Sequence, residues 1–126
     1  MIDKKTARVL CTAFSNGKRH DFALLKDSRL PIAEDCTVYA DSGYTGLDTL
    51  HTNTKLVIRS RRNHPLTKRE KERNKRRSKK RIGVEHVIGT LKVFRILSER
   101  YRNRRKRFGL RFNLIAAIYN MQKGGV

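Results

Sequence analysis

The chain has no tryptophan, two prolines and two cysteines in 126 residues. Cys11 and Cys36 are too few and too far apart for a zinc module or a disulfide framework, so they read as thiols in a reducing cytoplasm. Long apolar runs are missing as well. None approaches the roughly 18 residues of a membrane span, and no charged-apolar-small leader opens the sequence. The scarcest feature is negative charge, with 11 Asp+Glu against 31 Lys+Arg, a formal net charge of +20. An excess of this size repels itself and calls for a polyanionic partner, of which nucleic acid is the natural one. Hydrophobic residues make up 37% of the chain, enough for a modest core.

The charge is unevenly placed. Residues 1–58 hold 8 Lys/Arg and 7 Asp/Glu, the balance of an ordinary folded segment. Residues 59–81 hold 13 and 2, and residues 82–126 hold 10 and 2. Neither repeats nor a Gly/Ser linker interrupt the sequence, so it reads as one domain, 1–126, with a basic DNA-contacting segment, 59–81, inside it. A charge run is often only a solvated face. Thirteen cations in 23 residues exceed what that needs, and phosphate contact becomes the better reading.

Residues 8–14 are short, apolar and β-favouring, closed by Ser15-Asn16-Gly17, and predict a strand. Met1-Ile2-Asp3 reads as the end of a preceding strand, a hairpin arm so short that it implies absent chain upstream. Asp21 opens a short helix with Phe22, Leu24 and Leu25, stopped at Leu30-Pro31. Residues 36–40 predict a second strand, running into the turn Asp41-Ser42-Gly43-Tyr44-Thr45-Gly46. A short helix with Leu47 and Leu50 on one face follows, then a third strand at 56–58. The alternation predicts an α/β sheet with some parallel pairing.

Thr67 and Glu70 form a capping-box pattern. A helix from there to about residue 97 would have a charged, projecting first half and a docked second half bearing Val84, Val87, Ile88, Leu91, Phe94 and Leu97. A basic loop follows, and then a final helix over 110–121 with Leu110, Leu114, Ile115, Ile118 and Met121 toward the core.

Two acids stand apart. Asp41 follows a strand, where α/β folds place their sites; its bland reading is a turn-former before Gly43. Glu85 sits between Arg81, four residues before, and Lys92, seven after, on one polar stripe; its bland reading is a salt bridge with Arg81. Mg²⁺ gives both a sharper role, since it takes carboxylate oxygens and shares ligation with substrate phosphates. Asp21 reads as a helix N-terminal acid favoured by the helix dipole. His51, His64 and His86 lack metal-ligand spacing and read as structural or surface residues.

Asp41-Ser42-Gly43-Tyr44-Thr45-Gly46, followed by Arg81-x3-Glu85-x6-Lys92 with 43 residues between the two acids, resembles the DDE transposases of bacterial insertion sequences. The nearest group is insertion-sequence family five, with family four as its relative. Residues 12–21 and 99–105 look like that family too, and the resemblance covers nearly the whole chain. It implies an α/β, ribonuclease-H-like mixed sheet with flanking helices, here without its N-terminal strand. It implies a DDE catalytic domain, of which this would be the C-terminal part. In that family three acids hold two divalent ions, Mg²⁺ or Mn²⁺, for hydrolysis at transposon ends and strand transfer. Asp41 would be the second acid and Glu85 the third, both metal ligands, with Arg81 and Lys92 holding the DNA end.

The family pattern has a Tyr where this chain has Ser78. The first acid would lie upstream of residue 8, and Asp3 stands at the wrong place for it. The metal pair is therefore expected only for a complete site, and the chain alone is expected to be inactive.

DNA phosphates, from transposon ends and target, would be met by Arg59, Arg61, Arg62, Arg76, Arg77, Lys79, Lys80, Arg104, Arg105 and Arg107. An upstream transposase half or full-length transposase is the other expected partner. The expected place is the bacterial cytoplasm, at the nucleoid. The competing readings are a non-catalytic basic nucleic-acid binder of the ribosomal-protein kind and an inhibitory transposase fragment.

Overall fold

A computed structural model describes residues 1–15, 17–100 and 105–124. The chain divides into two units: Ser15–Ile82, and Met1–Phe14 together with Gly83–Val126. Both are mixtures of helix and extended chain, and the first carries a small parallel sheet, so the α/β expectation holds at that level.

In the first unit, helix α1 (Asp21–Ser28) begins after the extended His20 and carries Asp21 in its first turn, where a carboxylate complements the helix dipole. It ends at Arg29 in the left-handed region, φ 47°. Strands β1 (Val38–Ala40) and β2 (Thr54–Leu56) pair in parallel, Val38 with Thr54, Tyr39 with Lys55 and Ala40 with Leu56. Between them lie a 3₁₀ turn (Ser42–Tyr44) and the single-turn helix α2 (Leu47–Leu50). Gly46, ahead of α2, has φ 99°, and a Cβ there would sit 3.1 Å from Phe22. Glycine is needed on both counts. Leu47 is buried, whereas Leu50, expected beside it, faces solvent. His51 is buried and its Nε2 donates to the Cys36 carbonyl at 2.7 Å, a structural role in line with the sequence reading.

The third strand was expected at 56–58, but β2 ends at Leu56. Asn74 is the reason. The Ile58 N–H donates to Asn74 Oδ1 and Asn74 Nδ2 donates to the Ile58 carbonyl, both at 2.8 Å, so a side-chain amide takes the place of a strand neighbour.

Asn74 belongs to α3 (Lys68–Leu91). Its start is the capping box read from the sequence: the Thr67 N–H donates to Glu70 Oε2 at 2.8 Å, and the Glu70 N–H donates to Thr67 Oγ1 at 3.3 Å. The Thr67 N–H and the Thr67 hydroxyl, which also donates to Oε2 at 3.0 Å, hold the Glu70 carboxyl below its usual pKa. The charged half of α3 does not project. Polar side chains fasten it: Asn74 on Ile58, Arg77 on the Leu56 carbonyl, and Lys80 on the Tyr39 hydroxyl at 3.0 Å.

The helix also stops earlier than expected. The Val93 and Phe94 N–H groups bond three residues back, to Thr90 and Leu91 at 3.2 Å. Phe94 then turns extended ahead of the short α4 (Arg95–Ser98).

In the second unit, Val87 and Leu91 pack with Ile115 and Tyr119 of α5 (Phe108–Lys123), and Ile2, Ala7, Val9, Ile96, Leu97 and Phe112 close around them. The strand expected at 8–14 is reduced to one antiparallel bridge, Ile2 with Val9. The Leu10 N–H still donates to the Met1 carbonyl at 2.9 Å, and past Cys11 a side-chain contact takes over. Thr12 bonds to Asn113 of α5. Asp3 closes the hairpin turn, accepting from the Lys5 N–H at 3.0 Å and the Thr6 hydroxyl at 2.6 Å.

The α5 face is corrected as well. Leu110, Leu114 and Met121 are 71%, 61% and 67% exposed, and Ile118 is also exposed; the buried residues are Ile115, Ala116 and Tyr119. Two apolar stripes run along this helix, and periodicity alone cannot choose between them. Phe14 decides. Its ring meets Phe108 and Phe112 edge-on, with centroids at 5.7 and 5.4 Å. Gly109 lets it approach, since a Cβ there would lie 3.1 Å from the Phe14 ring.

Candidate functional site

Asp41 is the first residue after β1 and caps the 3₁₀ turn. Its Oδ1 accepts the Gly43 N–H at 2.9 Å, and its Oδ2 lies 3.5 Å from Arg81 Nη2. The turn-forming and functional readings are therefore compatible: one oxygen fixes the turn and the other faces a cation. The pair is partly exposed, with 43% of the Asp41 side chain and 26% of the Arg81 side chain open to solvent.

Asp21 joins this group, which the sequence reading did not foresee. A Cβ on Gly43 would lie 3.1 Å from Asp41 Oδ1 and 3.7 Å from Asp21 Oδ2, so Gly43 keeps open the gap between two carboxylates. Tyr44 borders the same space. Burial pushes its hydroxyl above the ordinary 10.0, the charges of Asp21 and Asp41 push it the same way, and Arg81 opposes them. The sequence spacing of Asp21 does not tie it to Asp41.

Glu85 lies on α3 one turn after Arg81, exposed and without an ion pair among the described residues. Its bland reading, a salt bridge to Arg81, is not what Arg81 makes. Lys92 is the first residue past α3. Its N–H still bonds the Ile88 carbonyl at 3.0 Å, so it continues the spiral by one residue even though the helix itself ends.

Arg59, Arg61 and Arg62 are exposed, with Arg61 and His64 closing a tight turn by two backbone bonds of 3.2 and 3.0 Å. Arg76, Lys79 and Lys80 are exposed on α3, whereas Arg77 is half-buried on the Leu56 carbonyl. Arg105 and Arg107 fall in a short 3₁₀ turn, Arg107 exposed; Arg104 lies outside the described residues. Lys55 and Arg73, not singled out individually from the sequence, line a cleft with Tyr39, Arg76, Arg77 and Lys80. Arg73 shares a helix face with Arg76, Arg77 and Lys80 at the i, i+3, i+4, i+7 spacing, and that phase was available in the sequence.

Among the described residues no three His, Cys, Asp or Glu side chains converge as a metal cage. A lone carboxylate such as that of Asp41 is the donor type divalent ions take, with water and substrate phosphate completing the shell. No helix among the described residues is long and apolar enough to cross a membrane.

The family model of the transposase DDE domain matches residues 1–121, and the chain belongs to that family. It is 43% identical over 122 residues to a probable transposase for insertion sequence element IS702 from Microchaete diplosiphon. That match covers 97% of this chain and 44% of the relative, so the chain spans less than half of the relative's length. No solved structure matches it.

Proposed function

We propose that the chain is the DNA-handling part of a DDE transposase of the insertion-sequence family-five type, with a ribonuclease-H-like catalytic domain working in the bacterial cytoplasm. Asp41 serves as the second acid and Glu85 as the third, both as ligands for divalent ions, Mg²⁺ or Mn²⁺. The observation that carries this is the Asp41–Arg81 pair at the end of β1, with Glu85 one turn further along the Arg81 helix. Family membership supports it over the ribosomal-protein reading.

Divalent ions bound there supply an activated water or hydroxyl and stabilise the leaving oxygen of a phosphodiester. The chain's own residues do the rest. The Gly43 N–H fixes the Asp41 carboxylate. Arg81 offsets its charge and, with Lys92, steadies the DNA end. The cations of 59–81, with Arg104, Arg105 and Arg107, neutralise backbone phosphates on transposon and target DNA.

In this reading residues 1–126 supply two of the three acids, Asp41 and Glu85; taken by themselves they bind DNA without cutting it, and an upstream transposase half or a full-length transposase is the partner. Two measurements on purified protein test this. Affinity for a DNA duplex falls steeply with salt; affinity that ignores salt would overturn the DNA reading. A Mg²⁺-dependent nicking assay gives no product; nicking that disappears in Asp41→Ala would overturn the claim of inactivity.

A further inference from the structure

We propose that a small cleft between β1, β2 and α3 seats one backbone phosphate of DNA and so fixes the register of the strand at Asp41. The inference rests on the DNA reading above. Tyr39, Lys55, Arg73, Arg76, Arg77 and Lys80 line a cleft of about 130 Å³. That volume is below the roughly 300 Å³ at which pockets for whole small molecules begin, yet several times the ~30 Å³ share of a water. It suits a phosphate group and not a nucleotide. Five of its six lining residues are cations and none is an acid.

Those cations divide into two jobs. Arg77 and Lys80 build the walls: Arg77 donates to the Leu56 carbonyl, and the Lys80 ammonium donates to the Tyr39 hydroxyl and stands 5.0 Å from its ring centroid. Lys55, Arg73 and Arg76 are exposed and form no ion pair among the described residues. Glu70, one turn before Arg73, has its carboxylate bound to Thr67. Lys55 is the cross-strand partner of Tyr39, so the two stand side by side on the sheet. Three positive side chains therefore line the cleft with no ion pair among the described residues, the Glu70 carboxylate acting on Arg73 only through space. Tyr39 is two residues before Asp41, about 7 Å along an extended chain, so a phosphate seated here holds the same strand near the carboxylate.

The test is the salt dependence of binding to a short DNA duplex, measured by fluorescence anisotropy on the intact chain. Arg73→Ala/Arg76→Ala reduces the slope of log K against log salt by about 0.9, the value for one lost phosphate contact. Lys5→Ala/Lys18→Ala removes the same charge elsewhere and leaves the slope unchanged. Lys55→Ala, an exposed β2 position, shows the same direction of change and carries the test if the double variant unfolds. Equal slopes for the cleft and control variants overturn the cleft while leaving the DNA reading standing. A wild-type chain that binds no DNA overturns both. Competition with the duplex by inorganic phosphate at matched ionic strength, lost in the double variant, supports the cleft, whereas phosphate that binds there and leaves DNA affinity unchanged assigns the cleft to free phosphate and overturns the backbone role.

Discussion

Asn120 holds both backbone polar groups of Val9: the Val9 N–H donates to Asn120 Oδ1 at 2.8 Å, and Asn120 Nδ2 donates to the Val9 carbonyl at 2.7 Å. Asn74 does the same for Ile58 in the other unit. In each unit one helix amide substitutes for the strand neighbour that an extended residue lacks. Asn120→Ala leaves a part-buried N–H and carbonyl without partners, a loss of about 2 kcal/mol. Asn120→Asp does not restore it, because a carboxylate can accept from the N–H but cannot donate to the carbonyl. Urea unfolding midpoints measure both; an Ala variant as stable as wild type would refute the role.

Gly46 joins a backbone requirement to a packing one. With φ at 99° an alanine is strained at about 1–3 kcal/mol, and its Cβ also meets Phe22 at 3.1 Å. Gly46→Ala is expected to destabilise the chain by about 2 kcal/mol. In a Phe22→Leu background the penalty shrinks but does not vanish, since trimming the ring relieves the contact and not the dihedral. Denaturant melts of the four-member cycle read the coupling, and full rescue would show the backbone contribution to be absent.

Tyr44 reports on the two carboxylates beside it. Its folded pKa is raised above the ordinary 10.0, first by burial and then by Asp21 and Asp41. A group that holds its proton more tightly when folded adds stability that is fully present below its unfolded pKa. That stability is lost as pH rises through the raised folded value, so the window lies on the alkaline side of 10.0. Phenolate absorbance against pH should show one ionisation in that window that Tyr44→Phe removes. Asp21→Asn should move it downward. If Asp21→Asn leaves it in place, the two side chains do not share the site.

How legible these features were depended on whether the deciding partner was local. Thr67 and Glu70 satisfy each other within one turn, so their cap could be read directly. Asp41 was marked by its own turn residues, and Gly43 does bind its carboxylate. The approach of Asp21 to Asp41 was hidden, because a fold contact across 20 residues leaves no spacing signature. The docking of the charged half of α3 was hidden for a related reason. Hydrophobic periodicity detects apolar faces, whereas this helix is fastened by Asn74, Arg77 and Lys80.

The two apolar stripes of α5 give the sharpest contrast between pattern and packing. Leu114 and Ile115 are neighbours in sequence and similar in size, yet 61% of Leu114 is exposed and only 7% of Ile115. Ile115 packs with Val87, Leu91 and Tyr119. Deleting its side chain removes buried methyl groups and leaves a cavity, so Ile115→Ala should cost about 2–5 kcal/mol. Leu114→Ala touches no buried contact and exchanges one good helix former for another, so its effect should stay within about 0.5 kcal/mol. Both are read from urea unfolding of the same chain under the same conditions. If Leu114→Ala proves the more damaging, the aromatic stripe set by Phe14 is not the one that faces the core. The pattern of Leu110, Leu114, Ile118 and Met121 would then be the packed face after all.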